Sequence, residues 1–309
     1  MIFRNTGKIV DGLYMVGTPA MPLYLLDGAK PAIFDAGLAF LGRLYIDGIR
    51  EIIGRRDPAY CFLTHSHFDH CGSVAVLKKA FPKLNVVASG RAKKVFGRPN
   101  ALALIRKLSE AAEQLAPKFG FDMAEFDPFE PFEVNGVVKE GDFIELSGGL
   151  TVQVFETPGH TRDSLSYFIP GKKILLCSEA AGIPDASGYI VSEALVDYDQ
   201  YYESMSRLSE VEYEILCLGH RQALTGPDAK KYFRKSMTDC RHFLNRVECA
   251  LEDYNGDVQK TMLRIKALEY DPIKGPKQIE PAYLLNLEAK IMAIKKRRER
   301  ELQNAELAN

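Results

Sequence analysis

The feature that most restricts how this chain can fold is a short apolar run, Tyr60-Cys61-Phe62-Leu63, that ends directly on Thr64-His65-Ser66-His67-Phe68-Asp69-His70. A run that is apolar at consecutive rather than alternate positions predicts a strand buried on both faces, and so a sheet covered on both sides. Three of the six histidines fall in the polar segment after it. In an extended segment, residues two apart point the same way, so His65 and His67 can share one metal ion. Asp69 and His70 come where the next helix opens and can turn toward a second ion. Neutral imidazole and carboxylate suit zinc, and also iron or manganese.

The remaining chain reads as an alternation of short strands and helices. Apolar runs at 12–16, 23–26 and 32–34 predict strands, the second closed by the hairpin-type pair Asp27-Gly28 and the third ending on Asp35-Ala36-Gly37. Helices are predicted over 40–53, 73–81 and 98–119, with a strand at 84–88. Residues 126–132 are too proline-rich for a helix interior. Strands are predicted at 143–146, 151–155, 165–169 and 174–177, then a helix over 198–208 and a last strand at 215–218, before Gly219-His220. Beyond Pro227 only helical spacing remains: one helix over 228–252, a shorter one capped by Asp257, and a final one opened by Pro281 that carries Leu284, Leu287, Ile291 and Ile294. The basic run from Lys295 to Arg300 is expected to be a solvated or frayed helix end.

Composition limits the function classes. With 309 residues, 46% of them hydrophobic and 26% charged, the chain can bury a sizeable core as one large domain or two smaller ones. Forty basic residues against 41 acidic ones leave a net charge of −1, which gives no support to a nucleic-acid partner. There is no apolar run near 18 residues, so no membrane span is expected, and Met1 to Asn5 has no signal-peptide layout. The six cysteines lack any C-x-x-C spacing and read as reduced thiols, so a cytoplasmic location is expected.

The H-x-H-x-D-H segment after a short apolar strand resembles the metallo-β-lactamase superfamily. The likeness continues in order through Asp35-Ala36-Gly37, Thr157-Pro158-Gly159-His160-Thr161 and Leu218-Gly219-His220, and spans roughly residues 8–225. It implies an α+β, four-layer αββα sandwich with a two-metal site at one edge of its sheets, formed by residues 1–226. It also implies two divalent cations, zinc foremost: His65, His67 and His160 would hold one, and Asp69, His70 and His220 the other. A metal-bound hydroxide would be the nucleophile, and Asp69 is the candidate catalytic residue, orienting the water or handling a proton. One position departs from the pattern. Where the family usually has a metal-bridging aspartate after the strand at 174–177, this chain has Glu179. Its extra methylene leaves three arrangements open: bridging after a backbone shift, binding one metal, or supporting the site without touching either.

Around this centre, Asp35, Thr64 and Thr161 are candidates for orienting the imidazoles, since metal-bound histidines usually donate their other N–H to an acceptor. Cys71 reads as a small buried filler and His242 as an ordinary helix residue. Tyr198, Tyr201 and Tyr202 lie at a distance from Glu179 that would let one phenol serve a developing oxyanion, with core packing the alternative. The helical, Phe-rich insertion near 97–133 (Phe119, Phe121, Phe126, Phe129, Phe132) and the helical region 227–309 are candidates for a cap or, for the latter, a homodimer contact. Helices after the last ligand resemble the caps of hydroxyacylglutathione hydrolases and of the quinolone-signal-response thioesterase. The expected activity is hydrolysis of a small-molecule ester, thioester, lactone or phosphodiester, with acyl or aromatic substrates and thioesters or acyl esters favoured. Two other readings stay open: a mononuclear iron oxidoreductase of the persulfide-dioxygenase type, and a metal-binding signalling protein with slow turnover. The flavodiiron branch is disfavoured, because it typically has a carboxylate at the position of His67 and no flavodoxin-like module follows.

Overall fold

The computed structural model describes residues 1–120, 126–274 and 277–308. The chain forms two compact units whose segments alternate in sequence. One comprises Met1–Glu156, Asp163–Ser178 and Glu212–Ala229, and the other Thr157–Arg162, Glu179–Val211 and Lys230–Asn309.

The first unit is built on two seven-stranded mixed sheets. One runs, in spatial order, Gly7–Val10, Leu13–Thr18, Met21–Leu26, Ala32–Phe34, Tyr60–Phe62, Asn85–Ser89 and Gly136–Val138. The other runs Ile2–Phe3, Ala223–Thr225, Ile215–Leu218, Ile174–Ser178, Leu165–Ile169, Leu150–Glu156 and Phe143–Ser147. The strand Tyr60–Phe62 pairs in parallel with both of its neighbours. In the second sheet, Ile174–Ser178 and Ile215–Leu218 form the parallel pair.

Continuous apolar runs occur where both faces of the first sheet are covered. Tyr24, Leu26, Phe34, Phe62 and Val87 join Val154, Tyr167, Ile169 and Leu176 in a core shared by the two sheets. Their immediate neighbours Leu23, Leu25, Ile33, Cys61, Leu63, Val86 and Ala88 belong to a second core on the opposite face. Helix Gly42–Ile53 seats Tyr45, Ile49 and Ile53 in that second core, and helix Val74–Ala80 adds Val74 and Leu77. Helix, sheet and sheet are therefore successive layers. Tyr167 ties the sheets together by donating its hydroxyl to the carbonyl of Leu63 at 2.6 Å.

The aromatic insertion packs into and against the core. Phe129 is 3% exposed, Phe126 packs on Phe40 with centroids 5.6 Å apart, and Phe132 packs on Phe96 at 4.7 Å. Phe129 is therefore a core residue, whereas Phe126 and Phe132 pack against the core and stay partly exposed. Phe121 lies outside the described residues, and of Phe119 only the backbone, at the end of a short 3-10 turn, is described.

The second unit is mostly helical: Tyr198–Ser209, the long helix Pro227–Asp253 that enters it, Val258–Glu269 and Glu280–Ala308. Asp257 caps the third of these by accepting from the Lys260 N–H, as its position predicts. The basic run near the chain end differs from expectation. Arg297 pairs with Asp199, Glu248 and Glu301, Arg298 with Glu252, and Arg300 with Asp197 and Asp199. Instead of fraying, this stretch is laced to its own unit. Of the predicted stripe, Leu287, Ile291 and Ile294 are fully buried within the single chain and Leu284 is partly buried. Among the described residues no helix is long and apolar enough to cross a membrane.

Candidate metal centre

The candidate residues of the first unit gather at the carboxyl ends of its central strands, where ligands collect in open sheets with parallel strands. Asp35 follows Ala32–Phe34, the segment Thr64–His70 follows Tyr60–Phe62, and His220 follows Ile215–Leu218. His67 occupies the N-cap position of the short helix Phe68–Cys71, which places Asp69 and His70 in its first turn. The segment is fastened to the Asp35–Gly37 turn: the Ala36 N–H donates to the His70 carbonyl at 2.7 Å, and the Gly72 N–H donates to that of Gly37 at 2.8 Å. A Cβ at position 72 would lie 2.4 Å from the Ala39 nitrogen, so this close approach requires glycine.

Asp69, His70 and His220 each offer a ligand atom, and these atoms all lie within 4.8 Å of one another. Asp69 Oδ2 stands 3.9 Å from His70 Nε2 and 3.8 Å from His220 Nε2. Two bonds of roughly 2.0–2.2 Å to a common zinc put ligand atoms at most about 4.4 Å apart, so a single cation can bridge these separations. The rings of His65 and His67 are adjacent, with centroids 4.6 Å apart, and His65 lies 4.3 Å from His70.

The imidazoles are held from behind. His70 Nδ1 lies 2.8 Å from Asp35 Oδ2, and His220 Nδ1 lies 2.9 Å from the Ala20 carbonyl. Each acceptor requires the proton on Nδ1 and leaves the Nε2 lone pair as the ligand atom. His65 Nδ1 lies 3.0 Å from Thr64 Oγ1. That hydroxyl is also 2.9 Å from Asp35 Oδ2, so it donates to the carboxylate and accepts from the imidazole. Asp35 further accepts the Thr64 N–H at 2.8 Å. One carboxylate, on a residue with φ of 58°, therefore sets both His65 and His70. This donor set fits a borderline divalent cation: neutral imidazoles with fixed tautomers beside a carboxylate.

The turn that carries His220 is anchored from the first sheet. Burial pushes the Tyr24 phenol well above its ordinary pKa, so it stays a neutral donor, and it reaches the carbonyls of Leu218 at 2.8 Å and Gln222 at 3.2 Å. Arg221, with φ of 73°, donates its N–H to the Pro19 carbonyl at 2.6 Å.

His160 and Glu179 belong to the second unit and are both buried, at 4% and 3% exposure. His160 Nδ1 lies 2.9 Å from the Glu193 carbonyl, which fixes the same tautomer as in the first unit. Glu179 opens a short 3-10 turn, with its carbonyl accepting the Tyr201 hydroxyl at 2.9 Å. That bond commits the Tyr201 phenol to the backbone, while the Tyr198 hydroxyl donates to the Cys240 carbonyl at 3.3 Å. Neither phenol is available for an oxyanion. Cys71 is wholly buried and burial pushes its thiol up, as suits a filler, and His242 is exposed on its helix.

Sequence reasoning missed Asp163, which accepts the Ser66 N–H at 2.8 Å and holds the strand end between His65 and His67. It also missed Ser178, whose Oγ meets Thr64 Oγ1 at 3.1 Å from a backbone with φ of 48°. A polar residue directly after an apolar strand was the available signal in the case of Ser178.

These observations define a chain of metalloenzyme type, with a histidine-rich candidate metal site at the carboxyl ends of two facing sheets. The sequence profile of the metallo-beta-lactamase superfamily matches residues 23–220. The chain belongs to that superfamily, and its fold is the corresponding αββα sandwich with C-terminal helices. A metallo-beta-lactamase family protein from Thermus thermophilus superposes with a TM-score of 0.63 at 19% identity, over 94% of this chain and 95% of that one. A hydroxyacylglutathione hydrolase from Rhodopseudomonas palustris is 27% identical over 160 residues, 51% of this chain and 46% of that protein. Diflavin flavoprotein A 1 of Synechocystis is 23% identical over 187 residues, 59% of this chain and 28% of that protein. The matched region thus spans about half or less of the length of these two curated relatives.

Proposed function

We propose that this protein is a dinuclear metallohydrolase acting on a small ester, thioester, lactone or phosphodiester. In this reading His65, His67 and His160 hold one cation, Asp69, His70 and His220 hold the other, and Glu179 stands in for the family's bridging aspartate. The observation that carries the proposal is that His65, His70 and His220 are each engaged at Nδ1 from behind, with the Asp69 carboxylate beside the Nε2 atoms of His70 and His220, while His160 is held in the same way within its own unit. Two bound cations would lower the pKa of a shared water and polarise the bond under attack. The chain's own part is to keep four imidazoles in one tautomer and to offer Asp69 for orienting the water or taking a proton. Thioesters and acyl esters are favoured, on the likeness to a hydroxyacylglutathione hydrolase. The substrate is a small molecule, and the C-terminal helices are proposed as its cap.

Elemental analysis of the protein as isolated, with Glu179→Ala beside it, tests this reading. Two zinc or manganese ions per chain, falling to one or none in the variant, support it. His67→Ala and His160→Ala should each abolish hydrolysis of a generic thioester, ester or phosphodiester, and full activity in either would overturn the mechanism. The competing reading is a mononuclear iron oxidoreductase of the persulfide-dioxygenase type. A single iron indifferent to Glu179, with oxygen consumption, would select it.

A further inference from the structure

His160 and Glu179 converge on one residue that the family motifs do not include. The Glu193 carbonyl accepts from His160 Nδ1 at 2.9 Å. The Glu193 N–H donates to the Tyr201 hydroxyl at 3.3 Å, and that hydroxyl donates to the Glu179 carbonyl at 2.9 Å. The backbone of Glu193 thus sets the ring of one candidate ligand and, through Tyr201, the turn that carries another. Its side chain turns inward to a cation: Glu193 Oε1 lies 3.6 Å from Nζ of Lys290, on helix Glu280–Ala308. Both side chains are almost wholly buried, at 6% and 2% exposure, and the ammonium also sits 5.4 Å over the ring of Phe243.

A lysine buried this deeply bears a desolvation cost that a leucine would avoid, so packing alone does not account for it. A buried ion pair adds little stability over apolar residues, and fixing conformation is the role left to it; the Lys290 charge also acts on the buried Glu269 carboxyl of its own unit, whose charged form it favours. Here the fixed object is the peptide that orients His160. We propose that Lys290 is a positioning residue: through the Glu193 carboxylate it clamps the carbonyl that sets the His160 imidazole, linking the C-terminal helix to the metal centre. The inference rests on the dinuclear reading for its consequence, but its geometry lies entirely within the second unit.

The test uses the full chain and three variants, Lys290→Met, Lys290→Arg and the charge-free pair Glu193→Gln/Lys290→Met. The first readout is the His160 Nδ1–H resonance in metal-free protein. The second is zinc affinity by competition with a chromophoric chelator. Lys290→Met should broaden or shift the His160 resonance and weaken one of two zinc equivalents about 10–100-fold, the range for losing a group that orients a ligand. Lys290→Arg should recover most of both. The charge-free pair removes the buried carboxylate together with its cation, so it keeps the fold if Lys290→Met does not, and it should still show the loosened His160. An unchanged His160 resonance and zinc affinity in whichever of Lys290→Met and the pair is folded would overturn the proposal. If wild-type protein binds no divalent metal, the dinuclear reading fails, while the resonance still decides whether Lys290 positions His160.

Discussion

Asp35→Asn tests the carboxylate that holds His70 directly and His65 through the Thr64 hydroxyl. Asp35 accepts from Thr64 N at 2.8 Å through Oδ1 and faces His70 Nδ1 at 2.8 Å through Oδ2. Its φ of 58° is a conformation that asparagine tolerates nearly as well as aspartate, so the substitution adds little backbone strain. If the new amide keeps its oxygen toward Thr64, its NH2 confronts the His70 N–H. His70 then moves its proton to Nε2, and the lone pair 3.9 Å from Asp69 Oδ2 is lost. The flipped amide would set its NH2 against the buried Thr64 N–H, which unlike an imidazole cannot move its proton, so the arrangement that shifts the His70 tautomer is the less costly one. Either way one hydrogen bond to a charged group is lost, about 1.5–3 kcal/mol. At about 1.4 kcal/mol per decade, zinc binding at the Asp69, His70 and His220 position should weaken roughly 10–150-fold. A competitive chelator titration reads this directly, with far-UV circular dichroism confirming the fold. Asp35→Ala is the harsher change. It strands two buried donors at about 1–3 kcal/mol each and puts alanine at positive φ, and a domain stable by about 5–15 kcal/mol can unfold under that. Zinc affinity within twofold of wild type in a folded Asp35→Asn would refute the argument that Asp35 fixes the His70 tautomer.

Two more outcomes are expected in the second unit. Gly159→Ala would place a Cβ 2.3 Å from the backbone nitrogen and Cα of Tyr201 at φ of 126°; a loss above about 3 kcal/mol in a urea melt is expected, and an unchanged midpoint would contradict the packing. Burial raises the Glu269 carboxyl above its ordinary pKa although Arg246 stands 2.9 Å away. The folded state therefore holds that proton more tightly than the unfolded chain does, and the associated stability is complete below the ordinary glutamate value and lost as pH rises past the raised one. Glu269→Gln should accordingly melt above wild type at pH 7, with the gain vanishing below about pH 4.5; a gain that is constant with pH would refute the assignment.

The parts of the structure legible in the sequence are those governed by local rules. Tyr60 to Leu63 announced a doubly buried strand because Cys61 and Leu63 enter one core while Phe62 enters the other. Asp257 announced a helix start because its carboxylate can reach only the first turn of the helix it precedes. His65, His67, Asp69 and His70 were legible because their geometry is set within one strand end and one helical turn. Failures occurred where the partner is remote or the element too short to show a period. Ile2–Phe3 is a two-residue strand that pairs with Ala223–Thr225, and nothing local marks it. The hairpin Ile183–Pro184 with Ile190–Val191 is hidden by a proline and a two-residue length. Helix Gly90–Phe96 opens on glycine, which masks its N-cap, Ser89 accepting from the Ala92 N–H.

The charged residues show the same boundary from the functional side. By local pattern, Arg297, Arg298 and Arg300 form a solvated run, because apart from Glu301 the acids that engage them lie about 50 to 100 residues away. Lys290 sits among apolar residues of the same helix and reads as an interruption until Glu193 is placed against it. In both cases sequence distance concealed a pairing that burial makes strong or specific. Family motifs share this blindness wherever the group behind a ligand lies far from it in sequence and outside the motif. Asp35 lies inside a motif and is legible there as a group that orients an imidazole; Glu193 and Lys290 lie outside every motif and are not. If they position His160, the C-terminal helix supports that candidate ligand, and a change in this helix would alter metal affinity. Grafting a foreign C-terminal helix that lacks a lysine at position 290 should then lower zinc affinity even where the ligands are intact. Restoring that single lysine should recover it, whereas a pure cap would leave affinity unchanged in both chimeras.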